Sequence, residues 1–275
     1  MISVLILTKN EEENLPRALS SVAWSDDVVV FDSFSTDRTV ELAKNLGARV
    51  EQRTFDNYAA QRNAALTTVS CRYPWVLMLD ADECVPKELA DEMRAVLPAA
   101  PPDVSLYRMR RRDMFLGHWL RRSSGYPTWF GRLLRVGHAW VEREINEEYH
   151  SDGKAAFLNE HLIHFPFSRG LSHWFDRHNQ YSTMEALALR DTARSNFRFP
   201  NLLARDPVLR RKALKQLGYR LPGRPALVFA YLYFVRLGCF DGKPGLLFCT
   251  MRSIYEYMID IKVRELNRRQ AGLPV

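Results

Sequence analysis

The sequence predicts an α/β protein with a mainly parallel sheet, followed by a helical, basic C-terminal extension. Apolar strand-like runs alternate with helix-like segments over the first hundred residues. The basic residues concentrate near the C-terminus. A chain of 275 residues with 47% hydrophobic content can bury a substantial core, which disfavours disorder as the main state.

Four strands and three helices are predicted in the first hundred residues. The strands are Ile2–Leu7, Asp27–Phe31, Arg49–Glu51 and Trp75–Leu79. The helices are Glu11–Val22, Thr36–Asn45 and Tyr58–Val69, the second being capped by Gly47. Each helix connects two strands, and such βαβ connections pair strands in parallel.

Polar side chains follow three of these strands. The segments are Thr8-Lys9-Asn10, Asp32-Ser33 and Asp80-Ala81-Asp82. Ligands in open α/β sheets bind beyond the carboxyl ends of the strands, so these segments are expected to form one site. Neither the Gly-rich dinucleotide fingerprint nor a P-loop is present at the first turn, which disfavours NAD chemistry and ATP hydrolysis.

The acidic pair after the fourth strand predicts a divalent metal. Four apolar residues, 76 to 79, precede Asp80, and Asp82 points the same way if the extended geometry continues. Carboxylate oxygens suit Mg²⁺ or Mn²⁺. The alternative is an ordinary acidic loop that closes a buried strand.

The cysteines and the apolar runs suggest a cytoplasmic protein. Cys71, Cys84, Cys239 and Cys249 show no CxxC pairing, which favours reduced, buried thiols. Val4 already belongs to a strand, and no charged leader stands before it, so no signal peptide is expected. The apolar run from Ala226 to Val235 is far shorter than the roughly 20 residues that span a bilayer.

The C-terminal extension is expected to begin at residue 197. Residues 197–275 carry 15 Lys and Arg against 5 Asp and Glu, a net charge of +10, whereas residues 1–196 carry 24 against 27, a net charge of −3. An apolar helix stripe is formed by Leu247, Met251, Ile254, Met258 and Ile261. Aromatic residues accompany it, so we expect peripheral association with an anionic membrane surface on the inner face of the cell membrane. The alternative is that the stripe packs on its own domain. No nucleic-acid-binding signature is present.

Four ordered motifs in the N-terminal part resemble family 2 glycosyltransferases of the GT-A fold. The motifs span residues 6–12 (ILTKNEE), 30–39 (VFDSFSTDRT), 60–65 (AQRNAA) and 79–83 (LDADE). The likeness continues through residues 115–119, 126–127, 132–135 and 178–182. This longer pattern is similar to the bacterial lipopolysaccharide-core β-1,4-glucosyltransferase subgroup over about two thirds of the chain. The implied fold is a Rossmann-like mixed sheet as domain 1–196, with 197–275 as its membrane-associating extension.

The resemblance implies that a nucleotide sugar, with UDP the expected nucleotide, binds over the sheet. The implied contacts are Thr8, Asn10, Glu12, Asp32, Gln61, Arg62, Asn63, Asp80 and Ala81. Asp32 matches the acid that contacts the nucleobase, although Ser33 stands where the pattern commonly has a second Asp. Asn10 is also a candidate helix N-cap. The implied metal ligands are Asp82, Asp80 and His164, and a core histidine is the alternative for His164.

The resemblance also implies an inverting transfer that needs a general base. Glu147 is the predicted base because the subgroup places an acid after a short apolar segment there; Glu148 is its rival, and Asn146 departs from the usual His. The arginine group Arg108, Arg110, Arg111 and Arg112 is a candidate for acceptor phosphates, with a solvated face as the alternative.

The predicted function is therefore a metal-dependent glycosyltransferase that extends a lipid-linked or lipopolysaccharide-type glycan. Two alternatives remain at this stage. A sugar-1-phosphate nucleotidyltransferase shares the sheet architecture but normally begins with a Gly- and Arg-rich phosphate loop, which is absent here. A non-catalytic module that binds a sugar nucleotide or a membrane would leave the acidic pair without a role.

Overall fold

The computed structural model describes residues 1–142, 148–193 and 223–275. The described chain divides into two units. The N-terminal unit comprises Met1–Trp119 and Tyr126–Ser168, and the C-terminal unit comprises Leu120–Gly125 and Arg169–Val275. The predicted boundary at residue 197 lies outside the described residues and stays a prediction.

The first part of the N-terminal unit confirms the predicted α/β alternation. Its elements are β1 Ser3–Thr8, α1 Leu15–Ser21, β2 Val28–Asp32, α2 Thr39–Asn45, β3 Arg49–Gln52, α3 Tyr58–Thr68 and β4 Trp75–Asp80. Helix α1 begins later than predicted, with Pro16 in its first turn, where the missing N–H of proline costs no hydrogen bond. Gly47 has φ +82° after α2, the left-handed conformation expected of a glycine cap.

The second part extends the same sheet with strands that the sequence did not predict. They are β5 Glu83–Cys84, β6 Val104–Phe115, β7 His118–Trp119, β8 Trp129–Arg135 and β11 Lys154–His164, with helix α4 Lys87–Val96 between β5 and β6. The order is β3-β2-β1-β4-β8-β6-β11-β5, and β7 pairs with β6. Strands β3, β2, β1 and β4 are parallel, whereas β8 is antiparallel to both β4 and β6. A separate hairpin is formed by β9 Ala139–Glu142 and β10 Glu148–Ser151.

The sheet of the N-terminal unit is buried on both faces. Val4, Ile6 and Leu79 belong to one apolar cluster, and Leu5 and Met78 belong to the other. Consecutive strand residues point to opposite faces, which explains why β1 and β4 are continuous apolar runs. Packing on both faces holds β1 and β4 in place, and with them the polar residues at their carboxyl ends.

The C-terminal unit is helical in its described part, as predicted. Its elements are α5 Gly170–Ala193, α6 Arg224–Ala230, a π-helical turn Tyr231–Val235, a 3₁₀ turn Gly238–Asp241 and α7 Gly242–Gln270. Helix α5 packs on α7, where the ring centroids of His178 and Tyr255 are 5.1 Å apart. Asp241 holds residues 120–125 in this unit by accepting hydrogen bonds from the backbone N–H groups of Arg122 and Ser123 at 2.9 and 2.8 Å.

The predicted apolar stripe of α7 is not its main packing face. Of the stripe, Met251 is buried, whereas Leu247, Ile254 and Ile261 are 41 to 47% exposed. The helix instead buries Cys249, Met251, Tyr255 and Ile259, and it packs on α5, α6 and the 3₁₀ turn. No helix within residues 1–142, 148–193 and 223–275 is long and apolar enough to cross a membrane.

Candidate functional site

The carboxyl ends of β1, β2 and β4 meet at one edge of the sheet. Thr8 pairs with Asp32 in the β1–β2 register, and Leu7 pairs with Asp80 in the β1–β4 register. The polar segments that follow these strands therefore lie together, as predicted.

Asp32 is fully buried, and its carboxylate is held by neighbouring loops. Oδ1 accepts hydrogen bonds from Thr8 Oγ1 at 2.8 Å and from Ser35 Oγ. Oδ2 accepts from the backbone N–H of Ser35 and from Gln52 Nε2, both at 2.9 Å. These bonds fix the end of β2 and shape the floor of the site.

Asn10 and Glu12 join the loop after β1 to the loop after β2. Asn10 has φ +55° and accepts a hydrogen bond from the backbone N–H of Thr36 at 2.8 Å. Glu12 accepts one from the backbone N–H of Arg38 at 3.1 Å. The capping alternative for Asn10 is wrong, because α1 begins at Leu15, its N-cap is Asn14, and the Asn10 amide bonds across to the other loop.

Helix α3 directs three predicted residues to different places. Gln61 Nε2 donates to Ser33 Oγ at 3.0 Å, and Arg62 Nη2 donates to Asp80 Oδ1 at 2.8 Å. Asn63 instead bonds β9, donating to the Val141 carbonyl and accepting from its N–H, both at 2.8 Å. Gln61 and Arg62 thus reach the site, while the Asn63 amide is engaged in holding the hairpin.

Two arginines hold the carboxylate of Asp80. Arg62 contacts one oxygen, and Arg132 Nη2 on β8 contacts the other at 2.7 Å. Burial raises the pKa of Asp80, but the charges of Arg132 and Arg62 outweigh it and leave the pKa well below its usual range. Arg132 also contacts the fully buried Glu83 at 2.8 Å. Ala81, between the two aspartates, is buried.

Asp82 lies beside His164, as the metal prediction requires. Asp82 Oδ2 is 3.3 Å from His164 Nε2, and His164 Nδ1 is 2.7 Å from Asp113 Oδ1 on β6. Burial lowers the pKa of His164, but Asp82 and Asp113 raise it to about 9. Despite burial, His164 lowers the pKa of Asp82. The His164 ring is thus held between two carboxylates, and its role as a metal ligand stays a prediction.

The donor set of Asp82 and His164 fits a divalent cation that is shared with a substrate. Among the described residues, no group of three or more His, Cys, Asp or Glu could hold a metal alone. Mg²⁺ usually binds through one or two carboxylates together with substrate phosphates, so two protein ligands suffice. Asp113 orients the ring of His164, as second carboxylates do in metal sites. Asp80 stays a predicted ligand, with both oxygens held by arginine.

Sequence reasoning missed Glu83, Asp113, Arg111 and Arg132 as members of this charged network. Arg111 contacts Asp113 at 3.0 Å and Glu83 at 3.4 Å. The spacing of Arg111 and Asp113 on β6 was a signal, because residues two apart on a strand share a face. It could not be used without knowing that β6 lies beside β11. The predicted base, Glu147, lies outside the described residues, and Glu148 begins β10.

Several proteins similar to this chain are named glycosyltransferases. An uncharacterized glycosyltransferase of Rickettsia typhi is 31% identical over 99% of this chain and 89% of its own length. The lipopolysaccharide core biosynthesis glycosyltransferase LpsC of Rhizobium meliloti is 24% identical over 98% of this chain and 94% of its own length. Among solved structures, glucosyl-3-phosphoglycerate synthase of Mycobacterium tuberculosis, in complex with Mn²⁺, UDP-glucose and phosphoglyceric acid, matches 41% of this chain and 44% of its own, with 24% identity and a TM-score of 0.35.

The family assignment rests on the family model and on the full-length relatives. The model of glycosyl transferase family 2 matches residues 3–168. This range takes in the whole sheet and every described residue of the charged network. The chain therefore belongs to glycosyl transferase family 2.

Proposed function

We propose that this family 2 glycosyltransferase moves a sugar, with inversion and with the help of a divalent metal, from a UDP sugar to a lipid-linked or lipopolysaccharide-type glycan. The observation that carries the proposal is the Asp82–His164–Asp113 arrangement beside the Asp80 carboxylate at the carboxyl edge of the sheet. Carboxylates that can hold a divalent cation, with Arg62 and Arg132 beside them, suit the binding of a nucleoside diphosphate at this edge.

The residues at the strand ends have distinct roles in this proposal. Asp32, with Thr8, Asn10 and Glu12 around it, forms the floor under the nucleoside, and Gln61 borders it through Ser33. Asp82 and His164 would hold Mg²⁺ or Mn²⁺, with Asp80 next to them. When bound, the metal stabilises the charge that develops on the leaving diphosphate. Arg62 and Arg132 keep Asp80 ionised and fixed.

The proposed base is Glu147, which would remove the proton of the attacking acceptor hydroxyl. Its support is the motif resemblance. Glu148 is the neighbouring alternative, so the two carboxylates must be tested against each other.

The proposed acceptor and location rest on two observations. LpsC, which is named for lipopolysaccharide core biosynthesis, is similar to this chain over nearly its whole length. The C-terminal unit also exposes apolar residues within a basic segment, which suits an anionic leaflet on the cytoplasmic side.

Release of UDP from a panel of UDP sugars, with and without Mn²⁺, tests the proposal with the full-length protein. Metal-dependent UDP release from one donor, stimulated by a lipopolysaccharide-core acceptor, is the expected result. Formation of pyrophosphate from a nucleoside triphosphate and a sugar 1-phosphate would point instead to the nucleotidyltransferase alternative. Donor binding without any release would point to the non-catalytic module.

A further inference from the structure

A cluster of arginines and aromatic rings lies on the N-terminal unit apart from the residues assigned above. It comprises Arg110 and Arg112 on β6, Trp119 on β7, Tyr126, Trp129 on β8 and His161 on β11. We call it the arginine–aromatic cluster. The sequence left open whether the arginines of β6 form a solvated face.

Alternation along β6 separates its arginines into two sets. Arg111 and Asp113 point toward Glu83 and His164, as described above. Arg110 and Arg112 lie on the other face of the strand, about 7 Å apart by strand geometry. There the Arg110 guanidinium carbon is 5.1 Å from the Trp129 ring centroid, and that of Arg112 is 4.9 Å from the Trp119 ring centroid.

Arg110 and Arg112 are half-buried, and their guanidinium groups have few partners in the described structure. Within the part of the chain that the structure describes, no carboxylate lies within 4.0 Å of either group. Arg110 donates to Tyr126 Oη at 3.2 Å and to the Asn159 carbonyl. The Nε atoms of both arginines are buried and have no hydrogen-bond partner in the described structure. Half-buried guanidinium groups without a carboxylate partner have donors left for an anion, to which arginine forms charge-assisted hydrogen bonds.

The aromatic members form a wall beside these charges. The rings of Trp119 and Tyr126 meet edge to face with centroids 5.1 Å apart, and Tyr126 stacks on His161 at 5.8 Å. Tyr126 Oη lies 2.9 Å from His161 Nε2. Burial, followed by the charges of Arg110 and Arg112, lowers the pKa of His161, so its ring is neutral near pH 7. Glu160 Oε2, 3.9 Å from His161 Nδ1, is the nearby carboxylate that opposes this effect.

We propose that the arginine–aromatic cluster binds an anionic sugar, a pyranose that carries a phosphate or a carboxylate, as the non-reacting part of the acceptor. The arginines bind the anion, and the aromatic faces contact the apolar face of the sugar ring. The neutral His161–Tyr126 pair exchanges hydrogen bonds with sugar hydroxyls. This proposal rests on the proposed function, because only a glycosyltransferase would use the bound sugar as part of its acceptor. Binding of the anionic sugar can be measured without any transfer.

Titration of full-length protein with glucose 6-phosphate, glucuronate, glucose and inorganic phosphate tests the site, with tryptophan fluorescence as the readout. We expect glucose 6-phosphate or glucuronate to bind at least about 10-fold more tightly than glucose and than inorganic phosphate. Arg112→Gln is expected to weaken that binding roughly 10- to 100-fold, because it removes a charge-assisted hydrogen bond. Arg112→Lys, which keeps the charge, is expected to restore part of it and serves if the first variant does not fold.

Arg94→Gln is the matched control, because the Arg94 guanidinium carbon lies 5.0 Å from the Trp24 ring centroid but Arg94 is paired with Asp91. Equal binding of glucose and glucose 6-phosphate, or an equal loss in Arg94→Gln and Arg112→Gln, would overturn the proposal. Inorganic phosphate binding as tightly as the anionic sugars would overturn the sugar part of it. UDP release without acceptor, measured in parallel, separates the two proposals. If UDP is released but no anionic sugar binds, only the proposal for the arginine–aromatic cluster is contradicted. If an anionic sugar binds but no UDP is released, only the proposed transferase function is contradicted.

Discussion

Asp80, Asp82 and Glu83 each have a cationic partner, and the partners differ in kind. Asp80 and Glu83 are paired with arginines that are always charged, whereas Asp82 is paired with His164, whose proton a metal can displace. The arginine pairs therefore serve position and stability. In the Asp82–His164 pair, a divalent metal can replace the proton on the histidine ring.

The variant Asp82→Asn is expected to lower UDP release about 10- to 100-fold or more at subsaturating Mn²⁺, because it removes a metal ligand but keeps the size of the side chain. The dependence of initial rate on Mn²⁺ concentration measures it. Asp103→Asn, a surface carboxylate paired with Lys154, is the control. Unchanged activity of Asp82→Asn would contradict the assignment of this ligand.

The variant Glu147→Gln is expected to reduce kcat roughly 10²- to 10⁴-fold with little change in donor affinity, since an amide cannot accept the proton. Steady-state kinetics of Glu147→Gln and Glu148→Gln, assayed side by side, measure it. If only Glu148→Gln shows the loss, the general base is Glu148 and not Glu147.

The variant Arg132→Met is expected to destabilise the fold by roughly 3 to 5 kcal/mol, because it leaves the buried Glu83 and one oxygen of Asp80 without their main partner. Urea unfolding followed by circular dichroism measures the loss. In the control Arg38→Gln, an exposed pair with Glu41 is removed and no measurable change is expected. Wild-type stability of Arg132→Met would show that Arg111 alone compensates the charge of Glu83.

At the scale of elements, packing between α5 and α7 depends on a neutral histidine. The His178 ring stacks on Trp174 with centroids 3.6 Å apart, and its Nδ1 is 2.8 Å from the Trp174 carbonyl. Tyr181 and Tyr255 present their rings to it as well. Burial, followed by Arg252 and Arg177, lowers the pKa of His178 to about 4, although the Trp174 carbonyl opposes this shift.

Stability is therefore expected to fall as the pH drops from about 6.5 to about 4. In that window the unfolded chain binds a proton at this position and the folded chain does not, so protonation favours unfolding. Above 6.5 the contribution is complete, and below about 4 it changes no further. Tm measured across this window in the wild type and in His178→Gln checks the expectation. Parallel curves for the two proteins would mean that His178 does not carry the pH dependence.

At the scale of the whole molecule, the proposed membrane surface lies on the C-terminal unit. Phe234, Val235 and Phe240 are 61, 70 and 77% exposed around the turns that precede α7. Arg236 and Lys243 lie in the same stretch of chain. Apolar side chains flanked by basic ones are typical of proteins that lie on an anionic leaflet.

We expect the full-length protein to bind anionic vesicles at low salt, to be partly released by high salt and to be fully released by detergent. Salt screens the basic residues, each worth on the order of 1 kcal/mol near the surface, but leaves the apolar part intact. Co-flotation with vesicles measures binding. The double variant Phe234→Gln and Phe240→Gln is expected to lose the salt-resistant part, whereas Leu46→Gln, 54% exposed on the N-terminal unit, is expected to keep it. Full-length protein that stays in solution at low salt would contradict the membrane proposal.

Local sequence patterns are enough to predict the first seven elements and the meeting of Thr8, Asp32 and Asp80 at the sheet edge. These follow from local patterns, since an apolar strand ending in a polar residue places that residue at the edge whatever the rest of the chain does. The family could also be predicted, because its four motifs are local stretches of sequence that occur in a fixed order within residues 3–168.

The residues that surround Asp80 and Asp82 follow from long-range strand pairing and could not be predicted locally. Arg132 on β8 lies 52 residues after Asp80 in the sequence, and Asp113 on β6 and His164 on β11 lie 31 and 82 residues after Asp82. No local pattern brings these residues together. The face that α7 buries was likewise decided by α5 rather than by the apolar stripe of α7 itself. Which face of a strand or helix is buried depends on long-range strand pairing and helix contacts, because the local sequence pattern allows more than one face.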